Sequence, residues 1–389
     1  MSIRTIEMDF ETDIVPISIP AKAEAKPGNF RSVDISKFKE SKELAGNTSW
    51  LLQLKGFNRE ARISRHLTQV HSGVTGSATD REISPGAVMI FPKFPIDRIS
   101  QADAGPTFLV KDSRGMVIDD RGRNCYFASV DTVFKLQLDS LKLEEVISSD
   151  SAPLAFIHSL SLSTDKQRML VTSSGLDRIV EVDLRTGAPA RQWSAWEHGY
   201  NRAKKSGKLV FPTYPYPQPE EDFQVIDIGN HGKGLGLPPA ERTAFPNSAI
   251  YRDDDIILAT MFHHGLVQIN LNNGETTTVD PTLIHPHSVL PFGEGFIVTN
   301  TAEGQAKLYD SSLKNNTVLD FTNLPGLDPD AENHQWLQHV HPISDNKLVA
   351  VDSNRASIFV VDLNEGAYQR IPYQENWVIQ EAHPLPISG

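Results

Sequence analysis

Thirteen histidines against a single cysteine, Cys125, set the chemistry open to this chain. A lone thiol rules out an intrachain disulfide and a cysteine-rich zinc site, so any metal would be held by nitrogen and oxygen. The histidines are placed rather than scattered. His158, His287, His339 and His383 each begin a short apolar segment, Asn247 begins another, and Gly115 or Arg114 stands at the corresponding place in a sixth. A neutral imidazole offers one lone pair to a metal. Four converging imidazoles would suit zinc or iron(II) and leave a position for water or substrate.

Convergence needs a fold that brings distant segment starts to one axis. Three ten-residue stretches supply it: Arg178 to Gly187, Gly265 to Gly274 and Ser357 to Gly366. Each reads as a β-strand running into a polar turn that ends in glycine. Weaker copies occupy 132–139 and 306–310, and each copy follows two further short apolar runs. The unit is a four-stranded antiparallel blade, repeated at a period of roughly 40–50 residues. Blades cannot bury both faces alone and pack radially into a propeller. The innermost strands then start near Gly115, His158, Asn247, His287, His339 and His383, which predicts six blades in an all-β fold. A last blade shared by both chain ends closes the ring and removes exposed edges. Its C-terminal strand starts at His383. Residues 49–54, 61–67 and 87–91 are expected to supply the other three. Seven blades would require one hidden in 197–242, a proline-rich stretch with little alternation.

The expected organisation is an extension over residues 1–46, wrapped on the domain or mobile, and a propeller over 47–389. A lid-like insertion at about 197–242 emerges on the face carrying the strand starts. It follows Trp196 and Tyr200, contains His231, and would cover the axial pocket. The same face should carry the second-to-third-strand turns. These place His263 and His264 in blade three and Asp352 and Arg355 in blade five. His264 is the candidate acid/base group. Asn247, His263, Asp352, Arg355, Trp196 and Tyr200 are candidate substrate contacts. His285 and His341 stand two residues from ring positions, and a two-residue shift in blade five would exchange His339 for His341. The bland reading of any single histidine is a ring bonded to a neighbouring blade's backbone.

Charge and motif content narrow the classes. Lys+Arg total 37 and Asp+Glu 49, a net charge of −12, which argues against a nucleic-acid or anionic-membrane binder. No apolar run is long enough for a membrane-spanning helix, and the first ten residues lack a signal-peptide core; a cytoplasmic location is the expectation. Gly232-Lys233-Gly234-Leu235-Gly236 lacks the features of a phosphate-binding loop, and neither a Gly-x-Ser-x-Gly nor a His-Glu-x-x-His motif occurs.

The strand starts His158-Ser-Leu-Ser, Asn247-Ser-Ala-Ile and His287-Ser-Val-Leu resemble those of the six-bladed propeller superfamily. That group includes NHL-repeat proteins, gluconolactonase/senescence-marker proteins and peptidyl-hydroxyglycine amidating lyases. The resemblance covers about residues 105–389 and implies metal-ligating residues around the axis. The gluconolactonase-like sites use Glu, Asn and Asp, where this chain offers His. The ligand type is similar to that of carotenoid-cleavage oxygenases, which have seven blades. The combined expectation is a metal-dependent hydrolase, lyase or oxygenase acting on a small organic substrate. Its metal would sit on His158, His287, His339 and His383. The alternatives are a metal-free enzyme using an axial histidine as base or nucleophile, and a non-catalytic propeller binding a peptide or protein.

Overall fold

The repeated turns work through one local device. In the Asp183–Gly187 turn, the Asp183 carboxylate accepts from the backbone N–H groups of Arg185 and Thr186 at 3.0 and 2.8 Å. Gly187 closes the turn at φ 71°, a conformation that costs glycine little. The Asn270–Gly274 and Asp362–Gly366 turns end in the same way, at φ 74° and 58°. Strands flanking such turns pair antiparallel, and each sheet alternates its side chains between two faces. The computed structural model describes residues 31–46, 49–72, 83–93, 97–119, 121–203, 206–207, 209–212, 223–226, 236 and 238–385.

Six sheets result, each of four blade strands. Blade one runs through Arg114–Ile118, Asn124–Ala128, Thr132–Gln137 and Lys142–Ser148. Blade two begins at Ile157–Leu162, blade three at Pro246–Tyr251, blade four at Val289–Phe292 and blade five at Leu337–Pro342. Blade six joins the two ends of the chain: Val378–Pro384 pairs with Trp50–Gly56, followed by Pro85–Phe91 and Thr107–Lys111. The chain is therefore a six-bladed β-propeller.

Both faces of every sheet are apolar because each packs on a neighbour. In blade six, Leu51, Val88 and Ile90 meet Met116, Cys125 and Phe127 of blade one. On its other face, Trp50, Leu52 and Met89 meet Val349, Ile358 and Val360 of blade five. Equivalent clusters join blades one to two, two to three, three to four and four to five, so the described apolar interfaces run round a full circle.

The blade-six assignment differs from expectation in one element. Residues 61–67 do not form a strand; they lie within an α-helix, Arg59–Ser72, inserted between the second and third strands. Ile63, Leu67 and Val70 recur at helical spacing, and Asn58 caps the start by accepting from the Ala61 N–H at 3.0 Å. The 87–91 run is consequently the third strand, not the fourth. Upstream, Arg31–Asp34 adds a parallel strand to the outer edge of blade four, and Lys39–Glu40 does so on blade five. Among the described residues no helix is long and apolar enough to cross a membrane.

Ring closure rests on one pairing between the chain ends, which gives a direct test. Deleting residues 378–389 should remove the innermost strand of blade six and leave Trp50–Gly56 as a bare edge. The expected result is loss of a cooperative thermal transition, with aggregation seen by size-exclusion chromatography. Leu52→Ala, a milder lesion at the same place, should cost about 2–5 kcal/mol in urea denaturation.

Candidate functional site

The innermost strands share a bulge that sets the height of every axial side chain. In blade two the pairing jumps from Ile157↔Ser173 to Ser159↔Thr172, leaving His158 unpaired. The same jump leaves Gly115 in blade one, Asn247 in blade three, Gln338 in blade five and Gln380 in blade six. Blade four matches through its hydroxyl pair. Ser288 and Thr299 lie 2.7 Å apart, as Ser159 and Thr172 do, so His287 corresponds to His158.

This register separates the four histidines expected in one ring. Only His158 and His287 occupy the bulge position, with ring centroids 5.4 Å apart. His339 stands one residue further along, level with Glu381 and with Ser159, Ser248 and Ser288. His383 stands two residues further still, level with His341. Equating the blades by histidine alone displaces blade five by one residue and blade six by three. Aligning Gln338-His-Val-His341 with Gln380-Glu-Ala-His383 recovers the register and finds Glu381, which the histidine count passed over.

A cavity of about 490 Å³ runs along the axis, lined by all three levels, within the size range of small-molecule sites. One end is shut. The bulge residues are all buried. Above them the helix Arg59–Ser72 brings the Arg62 guanidinium onto Gln338 Oε1, which also accepts from Trp336 Nε1 at 3.1 Å. His66 stacks on Trp336 at 3.5 Å, and Trp336 joins Phe245 and Phe262 in a buried aromatic cluster beside His287. Among the described residues the other end is open. Exposure rises along each innermost strand towards Asp119, Thr164, Lys166 and Pro291.

Between the ends lies the candidate metal centre. The ligand atoms of His339, Glu381 and His383 all fall within 4.8 Å of one another, and all three residues are buried. Glu381 Oε2 is 2.9 Å from His383 Nε2 and 3.9 Å from His339 Nε2. Backbone N–H groups of Gly115 and Met116 also reach this carboxylate, although burial raises its pKa overall. Burial depresses both imidazoles to about 3, so they are neutral and able to ligate. The His341 ring lies 4.0 Å from that of His383, and Nδ1 of both His339 and His341 is buried without a hydrogen-bond partner.

At the closed end, His158 Nδ1 sits 3.1 Å from the Asn247 carbonyl. His287 Nδ1 sits 3.1 Å from the His285 carbonyl and 2.9 Å from Thr301 Oγ1. The His158 contact is the bond to a neighbouring blade's backbone of the bland reading, whereas the His287 contacts stay within its own blade. Burial, reinforced by Arg114 for His158 and by Arg62 for His287, holds both rings well below the ordinary imidazole pKa.

Most of the loop residues expected to touch substrate lie outside the cavity lining. His264 Nε2 bonds the Thr243 carbonyl at 2.9 Å, and its ring packs on Tyr200. His263 lies among Phe245 and Phe262. Asp352 and Arg355 pair at 2.8 Å, and Arg355 also donates to the Leu324 carbonyl at 2.9 Å. Trp196 is buried beneath Arg178. Of that group Asn247 alone lines the cavity. Much of the 197–242 insertion, His231 included, lies outside the described residues. Its described parts, such as Ala203 and Val210, pack beside Phe156 and Leu176 on the closed face.

No family model matches the chain. No curated protein matches it either. Among solved structures, a chain of a nidogen/laminin complex is similar at 11% identity, with a TM-score of 0.51 over 87% of this chain and 98% of that one. The WD40 β-propeller domain of Doa1 aligns at 13% identity and TM-score 0.38, over 66% of this chain and 67% of that one. A catalytically inactive virginiamycin B lyase from Staphylococcus aureus with quinupristin aligns at 9% and 0.40, over 72% and 76%. The first of these carries the propeller fold and nothing finer.

The direction of access can be tested with thiols, because native Cys125 is fully buried and burial raises its pKa. Ser161→Cys, at the open end, should react with a water-soluble maleimide at least roughly tenfold faster than Asn247→Cys at the closed end. Equal rates would mean that the aromatic plug does not seal the channel.

Proposed function

We propose that the protein is a metal-dependent enzyme acting on a small organic substrate that enters the axial cavity from the open face. The observation that carries this reading is the buried triad His339, Glu381 and His383, with ligand atoms within 4.8 Å on the wall of the cavity. Two neutral imidazoles and a carboxylate match a catalytic rather than a closed structural site, because three protein ligands leave positions for water or substrate. His341 is adjacent and could complete a nitrogen-rich set suited to zinc or iron(II). Such an ion would polarise a carbonyl or activate bound water. The N–H groups of Gly115 and Met116 would orient Glu381 from behind, as supporting partners of metal ligands do.

A second reading has its own observation. The 2.9 Å contact between His383 Nε2 and Glu381 is also the geometry of a carboxylate-oriented general base working without metal. Elemental analysis separates the two. After reconstitution with zinc or iron(II), the full chain should hold about one equivalent of metal, retained through gel filtration. Glu381→Gln and His383→Ala should each weaken binding by about tenfold or more, judged by competition with a chelator dye. His158→Ala should leave it unchanged. A protein that takes up no stoichiometric metal overturns the metal reading and favours the metal-free base.

A further inference from the structure

The closed end of the cavity holds buried polar atoms that the metal centre does not use. Asn247, Gln338 and Gln380 are 0%, 0% and 3% exposed. Asn247 Oδ1, Gln338 Nε2 and Gln380 Oε1 have no hydrogen-bond partner, and all three residues line the cavity. Leaving such a group buried and unpaired costs about 1–3 kcal/mol. Three around one blind end point to something that binds there.

The neighbours settle which way two of these amides face. Asn247 Nδ2 donates to the Pro286 carbonyl at 2.8 Å, so its oxygen is the free acceptor. Gln338 Oε1 accepts from Trp336 and Arg62, so its amino group is the free donor. The histidines add acceptors. His158 and His287 each face a carbonyl with Nδ1, which must therefore carry the proton, leaving Nε2 as the lone-pair nitrogen. Counting the groups whose direction is settled, the blind end offers three acceptors and one donor, and the Gln380 amide adds to them.

An acceptor-rich pocket would ordinarily suit an ammonium group. Here cations act on both rings: Arg62 and Lys55 on His287, and Lys55 and Arg242 on His158 together with Arg114, which Asp112 pairs at 2.5 Å. They disfavour a cation, while the shortage of donors disfavours a carboxylate. We infer that the substrate carries an uncharged N–H or O–H donor group, a carboxamide or hydroxyl, and seats it among Asn247, Gln338 and Gln380 beyond the metal centre. This builds on the small-molecule reading above but requires no metal.

Four probes of one size test it: benzamide, benzyl alcohol, benzoate and benzylamine, with toluene as the donor-free control. Binding to the full chain stripped of metal at neutral pH is followed by saturation-transfer NMR. Working without metal keeps this outcome separate from that of the metal reading. Benzamide and benzyl alcohol should bind at least about tenfold more tightly than the two charged probes and toluene. Gln380→Met and Gln338→Met, checked for an intact thermal transition, should each erase that preference. Should both variants unfold, a benzamide-soaked crystal of the native chain must place the amide within hydrogen-bond reach of Asn247, Gln338 or Gln380. Equal binding of the charged probes, no binding of the neutral donors, or an amide seated elsewhere overturns the inference.

Discussion

One extra residue in the innermost strands of five blades governs what reaches the axis. A regular strand sends alternate side chains to opposite faces, so its axial residues would sit two apart. The bulge breaks that rule once in each of these blades and turns two consecutive residues inward, such as Gln338 with His339 and Gln380 with Glu381. Beyond the bulge alternation resumes. Leu160, Ala249, Val289, Val340 and Ala382 turn back into the interfaces between blades. The site therefore has three levels because the strands have a bulge followed by period-2 alternation. The wedge of apolar side chains between blades holds those levels in register.

The levels differ in charge as well as height. Arg62, Arg114, Arg242 and Lys55 surround the closed end, while Glu381 stands at the middle level beside His339 and His383. Desolvation keeps every axial imidazole for which a shift is resolved neutral. The causes nevertheless diverge: cations reinforce the effect at His158 and His287, whereas Glu381 opposes it at His339. The two levels of one cavity thus differ in the charged groups that act on their imidazoles.

The propeller was legible in the sequence because its signals are local and repeated. Asp-x-x-x-Gly turns and alternating apolar runs recur whatever the axis holds, and the C-terminal strand paired with residues near 50 follows from the need to close a ring. The helix Arg59–Ser72 was missed because a strand was needed there and Ile63, Leu67 and Val70 are too few to outweigh that need without counting their spacing. The candidate metal centre was half legible. His339 and His383 stand out by residue type, but the register between blades is set by strand pairing, which residue type does not carry. A bulge has no reliable sequence signature, so Glu381, Gln338 and Gln380 were hidden beside the histidines that drew attention.

The closed face shows how chemically suggestive turn residues are taken up by local contacts. Its turns carry His263, His264, Asp352 and Arg355, and each finds a partner close by: Phe262, the Thr243 carbonyl, or the other member of an ion pair. Turns between the second and third strands must bury polar backbone where the blades crowd the axis, and short-range side-chain bonds satisfy it. Among the described residues the open face has no such plug, and there the innermost strands end at half-exposed residues such as Asp119 and Lys166. The helix inserted in blade six, by bringing Arg62 and His66 onto the Gln338 and Trp336 cap, fills one end of the axis.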